Sequence, residues 1–232
     1  MRNSFLSLIC IFLVSLVSNA ATEDGVSTLK RPSIGSSEEN RDEKEIMLVA
    51  QPVGFGPVAG TSSGLAIGFF AGANSIFLID ATYGRSSGDL VNFGSWNGDH
   101  TDFVGSSVGI HFKQFLANSF YMRVGLDQRH VEYSTSHSKS SWFGITDAPY
   151  SYSFTGDSTA GSIAIGNQWQ FRGFTLGCDW FGISTPLAST VSNEKFSGAV
   201  SSSSDIRVEN SRKQFVTGSS IQAVRFYLGA SF

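Results

Sequence analysis

The stretch QFLANSFYMRVGLD, residues 114–127, holds two short runs of alternating residues on either side of a tight turn. After the turn, every second position is apolar, and the positions between them carry Arg123, Gly125 and Asp127. The apolar set is Phe120, Met122, Val124 and Leu126. Because successive side chains of a strand point to opposite faces, this pattern predicts a β-hairpin with one apolar face and one face that carries charge.

The same arrangement occurs twice more along the chain, in FFAGANSIFLID at residues 69–80 and in QFRGFTLGCD at residues 170–179. Each copy has an aromatic residue before the turn, another soon after it and an Asp farther along the second strand. Aromatic rings favour the boundary between the apolar and polar layers of a membrane. We therefore expect the three turns to lie together at one membrane surface.

Eight strands are predicted from the alternating runs, near residues 47–57, 63–71, 74–85, 103–115, 119–132, 159–171, 173–185 and 215–232. Their connections alternate between tight turns and long polar segments at 86–102, 133–157 and 186–214. Only the first outer connection, PVAGTSS, is short. Short turns at one end and long loops at the other are typical of transmembrane barrels. The sequence predicts an all-β fold, an antiparallel eight-stranded transmembrane β-barrel with short periplasmic turns and long extracellular loops.

The two faces of these strands differ in charge. The apolar face carries no charged residue, although Gln128 and Asn167 share its parity, and Pro52 favours a bulge or a strand end because proline cannot donate to a ladder. An interior of eight strands is just wide enough to be filled by side chains. The opposite face predicts a structural charge network inside the barrel, formed by Asp80, His111, Lys113, Arg123, Asp127, Arg129, Asp179 and Arg225.

The N-terminal region divides into two parts before the barrel. Residues 1–20 have a positive start, a short apolar core and small residues before a cut site, which predicts a cleaved secretory signal peptide. Residues 21–46 are rich in charge and nearly free of large apolar residues, which predicts a flexible polar tail. The barrel then covers residues 47–232. Cys10 falls in the signal peptide, so Cys178 is left alone on the apolar face and no intrachain disulfide is expected.

The composition bears on partners. Charged residues make up 15% of the chain, the net charge is -3, and no basic cluster is present. Nucleic acid is therefore not an expected partner.

The final residues RFYLGASF carry the most specific resemblance to a known family. They resemble the C-terminal signal of the small eight-stranded bacterial outer-membrane barrels of the OmpA/OmpX type, and the alternation covers the chain after the tail. The resemblance implies a bacterial outer-membrane location, contact with lipid and lipopolysaccharide, and periplasmic chaperones and the barrel-assembly machinery as partners during biogenesis. It gives Phe226, Leu228 and Phe232 the role of an assembly signal. A closed barrel has no edge strand that needs a partner, so we expect a monomer.

Fold does not decide function within such a family. We predict a structural or surface-interaction role through the long outer loops, with no catalytic residue, cofactor or metal. One alternative is a lipid A-modifying enzyme, which needs a histidine close to a nucleophilic hydroxyl. His100, His111, His130 and His137 are available, and Ser136 and Ser138 flank His137, but no recognisable active-site motif surrounds them. The other alternative is a narrow small-solute channel, which paired lumen charges disfavour.

Overall fold

The computed structural model describes residues 36–56, 60–87, 99–137, 141–142, 145–146, 150–198 and 213–232. The predicted signal peptide, residues 1–20, lies outside the described residues. Eight strands of the described chain form one sheet: β1 (Ile46–Gly56), β2 (Gly60–Phe70), β3 (Ser75–Ser87), β4 (Asp99–Phe115), β5 (Phe120–His137), β8 (Tyr150–Phe171), β9 (Phe174–Gly198) and β10 (Ser220–Ser231). A short hairpin, β6 (Ser141–Trp142) and β7 (Ile145–Thr146), lies between β5 and β8.

The eight strands close into a barrel in which each strand pairs antiparallel with its neighbours. The barrel closes where β1 pairs with β10, from Met47 opposite Ser231 to Phe55 opposite Ala223. Tight turns at residues 71–74, 116–119 and 172–173 lie at one end, which we call the turn end, and the opposite end is the loop end. The predicted all-β class, strand number and short turns are confirmed. Among the helices described, none is long and apolar enough to cross a membrane.

Four neighbouring strands are much longer than the others and extend past the loop end of the barrel. We call this region, where β4, β5, β8 and β9 continue beyond β3 and β10, the outer extension. The prediction of long loops over 133–157 and 186–214 is therefore wrong in part. β5 runs on to His137 and β9 to Gly198, because Ser, Thr and aromatic residues at these positions still pair across the strands, as at Thr135 opposite Tyr152.

Register shifts interrupt three adjacent strands at a similar height. Pro52 lies inside the shift of β1, as expected of a residue that cannot donate to a ladder. In β10, Val224 is an extra residue with φ 49°, and in β9 Trp180 is an extra residue opposite the β8 strand. A bulge moves the following residues to the other face. Trp180 and Phe181 are therefore both exposed on the outside, and Asp179 points inward.

The outward face of β9 contains a second departure from simple alternation. Cys178 has the predicted outward parity, but its side chain is buried rather than exposed. The Trp180 indole donates to Asn167 Oδ1 at 2.8 Å, and Asn167 lies opposite Cys178 in the register. The indole therefore reaches across Cys178 and covers it.

A short helix, α1 (Ser37–Asp42), covers the turn end of the barrel. Arg41 is buried there, donating to the carbonyl oxygens of Ala73 at 2.6 Å and Asn118 at 2.7 Å, and its guanidinium lies 3.6 Å from the centre of the Phe115 ring. Ser36 caps the helix through a capping box. The predicted flexible tail, residues 21–46, thus includes an ordered segment, because these long-range contacts offset the ordering entropy. Residues 21–35 lie outside the described part of the chain.

A second short helix, α2 (Gln214–Thr217), lies at the loop end. Its Val216 is buried inside the barrel mouth, in a group that we call the outer apolar cluster. The other buried members of this cluster are Phe103, Val131, Tyr133, Tyr152 and Phe154. Lys213, just before α2, pairs with Glu194 of β9 at 2.7 Å. Residues 213–217 therefore lie against the barrel mouth, with Val216 inside it.

Candidate functional site in the barrel interior

The interior site is built by alternation, because each strand turns every second side chain inward. Two glycines provide the space that the larger side chains need. A Cβ on Gly109 would overlap His111 Nε2, and one on Gly125 would overlap His111 Nδ1. These overlaps leave no room for a side chain, so both positions require glycine. The structure places all eight predicted network residues inside the barrel.

Four of these residues form a closed arrangement of charges, which we call the ionic ring. Arg225 reaches Asp179 through Nε at 2.8 Å and Asp80 through Nη1 at 3.1 Å. Arg123 bridges the same two carboxylates, at 3.0 Å to Asp179 and 3.4 Å to Asp80. Bridged contacts of this kind compensate for the cost of burying ions only when each charge is well paired. The ring therefore ties β3, β5, β9 and β10 together across the interior.

His111 lies beside the ring and joins it to a third carboxylate. Its Nε2 is 3.3 Å from an oxygen of Asp80 and 3.3 Å from an oxygen of Asp127. His111 Nδ1 is buried and has no hydrogen-bond partner among the described residues. The three side chains bring their ligand-type atoms within 4.8 Å of one another. Carboxylate and imidazole groups can hold a metal, but Asp80 is already neutralised by two guanidinium groups, so we assign no metal to this group.

Lys113 lies on the turn-end side of the ring and contacts neutral groups. Its Nζ donates to Gln168 Oε1 and to Tyr227 OH, both at 2.8 Å. The same ammonium lies 4.0 Å from the centre of the Tyr121 ring and 4.5 Å from that of Tyr227, positions typical of cation–π contacts. Tyr121 OH in turn donates to Asp179. Lys113 is thus linked to the ionic ring through Tyr121 rather than through its own ion pair.

Arg129 lies on the loop-end side of the ring. It is buried, and its guanidinium donates to the hydroxyl oxygens of Ser184 and Ser220, the latter at 3.4 Å. The predicted residues are thus brought into one column, with Lys113 below the ionic ring and Arg129 above it.

The column is closed at both ends by apolar side chains. Toward the turn end lies a buried group of Met47, Val49, Ile76, Leu78, Phe115, Tyr121 and Tyr227. Toward the loop end lies the outer apolar cluster. A cavity of about 30 Å³ remains between the ionic ring and the outer cluster, which is space for one or two water-sized occupants. The described interior is a packed core with this polar cavity and a second cavity of about 20 Å³ beside Lys113 and Tyr227.

Several members of the site were not identified from the sequence. Tyr121, Gln168 and Gln222 share hydrogen bonds with the charged residues, and Gln222 donates to Asp179 at 3.1 Å. Inward parity was a usable signal for Tyr121 and Gln168. Gln222 instead shares the parity of the outward Phe226, and it faces inward only because of the extra residue Val224 in β10. The apolar groups at both ends were not predicted either, since they share the inward parity with the charges.

The remaining histidines make contacts of a different kind. His130 Nδ1 lies 2.8 Å from Asp157, and His100 Nε2 lies 3.3 Å from Asp102, both on the outer surface. These bonds go to carboxylates and not to a serine hydroxyl. The side chain of His137 and residue Ser138 lie outside the described part of the chain. For the predicted assembly signal, Phe226 and Phe232 are exposed on the outside and Leu228 is partly exposed.

No protein-family model matches the chain, and no curated protein matches it by sequence. Solved structures that it resembles include Ail, the attachment invasion locus protein of Yersinia pestis, at 12% identity and a TM-score of 0.43 over 82% of this chain and 99% of that one. A major outer membrane protein from Thermus thermophilus has 12% identity and a TM-score of 0.45 over 81% and 98% of the two chains. Acinetobacter baumannii CarO has 12% identity and a TM-score of 0.43 over 80% and 96%. The fold assignment rests on the strand pairing of this chain itself.

Proposed function

We propose that the protein is an integral, non-enzymatic outer-membrane β-barrel, closed to solutes, whose outer extension serves a structural or surface-interaction role. The observation that carries the membrane location is the outer surface of the barrel. Its middle belt exposes large apolar side chains at up to 65% of their area, on strands that together leave no edge. Representative members are Leu48, Leu65, Phe77, Ile79, Ile110, Val124, Leu126, Ile163, Leu176 and Phe226. A water-exposed apolar surface of this extent marks contact with a membrane or partner.

The height of the belt fits one bilayer. On β5 the outward residues are apolar from Phe120 to Leu126 and become polar from Gln128 onward. On β9 the exposed outward apolar residues run from Phe174 to Ile183, which matches the roughly 9–11 residues of a transmembrane strand. Above the belt, ion pairs such as His130 with Asp157 and Arg85 with Asp102 occupy the outer surface. This change from apolar to charged residues supports a membrane boundary at Gln128, with the turn end toward the periplasm.

The surface role is supported by the outer extension. β10 pairs with β9 only as far as Ser184, so beyond that residue β9 has β8 on one side and no described strand on the other. A free strand edge offers unpaired backbone donors and acceptors to a partner strand. Leu187 and Phe196 on this part of β9 are exposed as well. This edge and its exposed apolar residues are the surface that we propose for contacts outside the cell.

The two alternatives are less well supported. A channel requires a continuous path, whereas the described interior is filled by two apolar groups and the ionic ring. An enzyme acting on lipid requires an activated nucleophile near the membrane boundary. The described outer histidines, His100 and His130, contact carboxylates, and no observation favours a nucleophile beside them.

The location and orientation can be tested by cysteine labelling on intact cells. Thr190→Cys places a thiol on the exposed outer extension, and Ala117→Cys places one in an exposed turn at the opposite end. A membrane-impermeant maleimide should label Thr190→Cys in intact cells and Ala117→Cys only after lysis, whereas the buried native Cys178 supplies a low background. Labelling of Ala117→Cys in intact cells, or recovery of the protein outside the outer-membrane fraction, contradicts the proposal.

Closure of the lumen can be tested separately in planar bilayers. Purified protein that shows heat-modifiable mobility, and is therefore folded, should give no discrete conductance steps. Steps of uniform size would instead support the channel. Lipid A from cells with and without the protein should have the same acylation pattern, and a difference would support the enzyme.

A further inference from the structure

The small cavity above the ionic ring has an unusual lining for a buried space. Arg123, Arg129 and Arg225 all border it, against a single carboxylate, that of Asp127. The rest of its wall is mainly hydroxyl and amide groups, including those of Ser107 and Ser162. A buried space with this many positive donors presents a favourable environment for a negative charge.

Arg129 is the member of this lining whose charge is left without a close counterpart. Its side chain is buried, and its hydrogen bonds go to the hydroxyl oxygens of Ser184 and Ser220. Among the described residues, no carboxylate lies within ion-pair distance of its guanidinium. Buried charges are normally paired, because an isolated ion away from water is costly. The arginine therefore lacks the partner that its position calls for.

Arg123 adds a second unused donor. Two of its nitrogens are bound to the carboxylates of the ionic ring, but its Nε is buried and has no hydrogen-bond partner within the described chain. An unsatisfied buried donor on a charged group costs more than one on a neutral group. The wall of the cavity thus has both an unpaired charge and an unfilled hydrogen bond.

The charge count of the described interior gives the same result. The column contains three arginines, Arg123, Arg129 and Arg225, and three acidic side chains, Asp80, Asp127 and Asp179, and Lys113 adds a fourth basic group. Counted with Lys113 protonated and His111 neutral, the column carries one excess positive charge. A single bound anion would balance it.

We propose that this cavity binds one small monovalent inorganic anion of the size of chloride, held mainly by Arg129. The volume of about 30 Å³ accommodates a monatomic ion or a water molecule. A divalent anion would overcompensate an excess of one charge. The proposal concerns the interior alone and does not depend on the role of the outer extension.

Crystals grown in bromide provide the direct test, because bromide replaces chloride and scatters anomalously. We expect one anomalous peak inside the barrel, within hydrogen-bond distance of Arg129. Crystals of Arg129→Gln under the same conditions should lack it. A wild-type cavity with no peak, or a peak that persists in Arg129→Gln, overturns the proposal.

Halide-linked stability tests the same site in solution. A ligand that binds only the folded protein lowers the unfolding constant in proportion to its concentration once the site is nearly filled. Replacing gluconate by chloride at constant ionic strength should therefore lower this constant about tenfold per tenfold rise in chloride near saturation. Arg129→Gln should lose this dependence. Arg129→Lys, which keeps the charge, and Arg85→Gln, at an exposed arginine outside the cavity, should retain it.

The variants also separate anion binding from a general effect of salt. Equal chloride dependence in wild type and Arg129→Gln would mean that the ion acts elsewhere, and the proposal would be withdrawn. If Arg129→Gln did not fold, the bromide peak in the wild-type protein would still decide.

Discussion

Asp179 is the hydrogen-bond acceptor for four side chains of the barrel interior. It accepts from Arg123, Arg225 and Gln222 and also from the hydroxyl group of Tyr121, in a position that is almost fully buried. Its inward direction continues the alternation of Thr175 and Gly177, and the bulge at Trp180 turns the following Phe181 outward. Because two guanidinium groups depend on the same carboxylate, the loss of one negative charge leaves two buried cations underpaired.

We predict that Asp179→Asn lowers the free energy of unfolding by about 3–5 kcal/mol, the usual range when one partner of a buried ion pair is removed. Asp157→Asn is the matched control, because its pair with His130 is half exposed, and its cost should be about 0–1 kcal/mol. Urea unfolding of both variants in the same detergent or lipid gives the comparison. Equal costs would mean that the ionic ring does not stabilise the barrel.

His130 gives a prediction that depends on pH. The hydrogen bond to Asp157, together with the nearby Glu132, raises the pKa of His130 above its usual value of 6.5. A histidine whose pKa is raised by folding stabilises the folded state at pH values below its unfolded pKa, and this contribution is lost as the pH rises through the folded pKa. The effect on stability is small because the pair is exposed.

An NMR titration of the imidazole measures this directly. We expect His130 to titrate above pH 6.5, and Asp157→Asn to move its midpoint downward. A midpoint unchanged by Asp157→Asn would mean that the pair does not form in solution. Ser134→Ala, two strand positions beyond Glu132, leaves both acids in place and should leave the midpoint unchanged.

At the scale of elements, alternation was enough to predict the strands and their inward charges. Alternation did not predict the extra residues at Trp180 and Val224, because composition does not reveal which of two consecutive apolar residues will bulge. The shift at Pro52 was predicted, because proline cannot donate to a ladder. At the loop end, alternation also predicted shorter strands than the structure has. Residues 150–158 do alternate, but their large side chains, Tyr152 and Phe154, face inward, so the outward apolar pattern is missing, although the segment pairs with β5 without a register shift.

The helix α1 is ordered by contacts with residues distant in sequence, which local sequence patterns do not predict. Its six residues have little helix signal beyond the capping box, and their order comes from contacts with turns distant in sequence. Arg41 binds carbonyl oxygens in two of these turns, and burial lowers the pKa of Arg41 to about 10, so it is still charged at neutral pH. No property of the segment alone predicts these partners.

We predict that Arg41→Ala releases α1 from the turn end. A desolvated cation–π contact of about 2 kcal/mol corresponds to a roughly 30-fold loss of hydrogen-exchange protection for the backbone amides of residues 40 to 46, several of which are bonded in the structure. The exposed Asp42→Ala should leave this protection nearly unchanged. If both variants behaved alike, Arg41 would not be the anchor.

For the whole molecule, the sequence predicted which charged residues line the interior but not how the interior is arranged. The charged residues of the lumen could be named from parity, but parity cannot tell that the column is bounded by apolar groups. Val216 of α2 lies in the barrel mouth, and its position depends on partners from β4, β5 and β8. Such a contact depends on the closed barrel and is absent from any one strand.

Assembly of the whole barrel provides a further prediction. Phe232 keeps its backbone bonds to Ile46 when its ring is removed, while the ring itself is exposed on the outer face. If the terminal residues act as the assembly signal, Phe232→Ala should lower the amount of heat-modifiable protein in the outer membrane several-fold. Leu187→Ala, which removes an exposed apolar side chain from the outer extension, should not. Equal insertion of both variants would remove the signal role and leave only the strand.

The pairing between β1 and β10, the seam that closes the barrel, also bears on the order in which the barrel folds and unfolds. It joins the two most distant strands in the chain, and two register shifts interrupt it, on either side of Val53 and Gly54. Contacts between distant segments form late because the chain must first give up the entropy of a large closed loop. Folding should therefore finish with the pairing of β1 and β10, and unfolding should start there. These two strands should separate before the other strand pairs do.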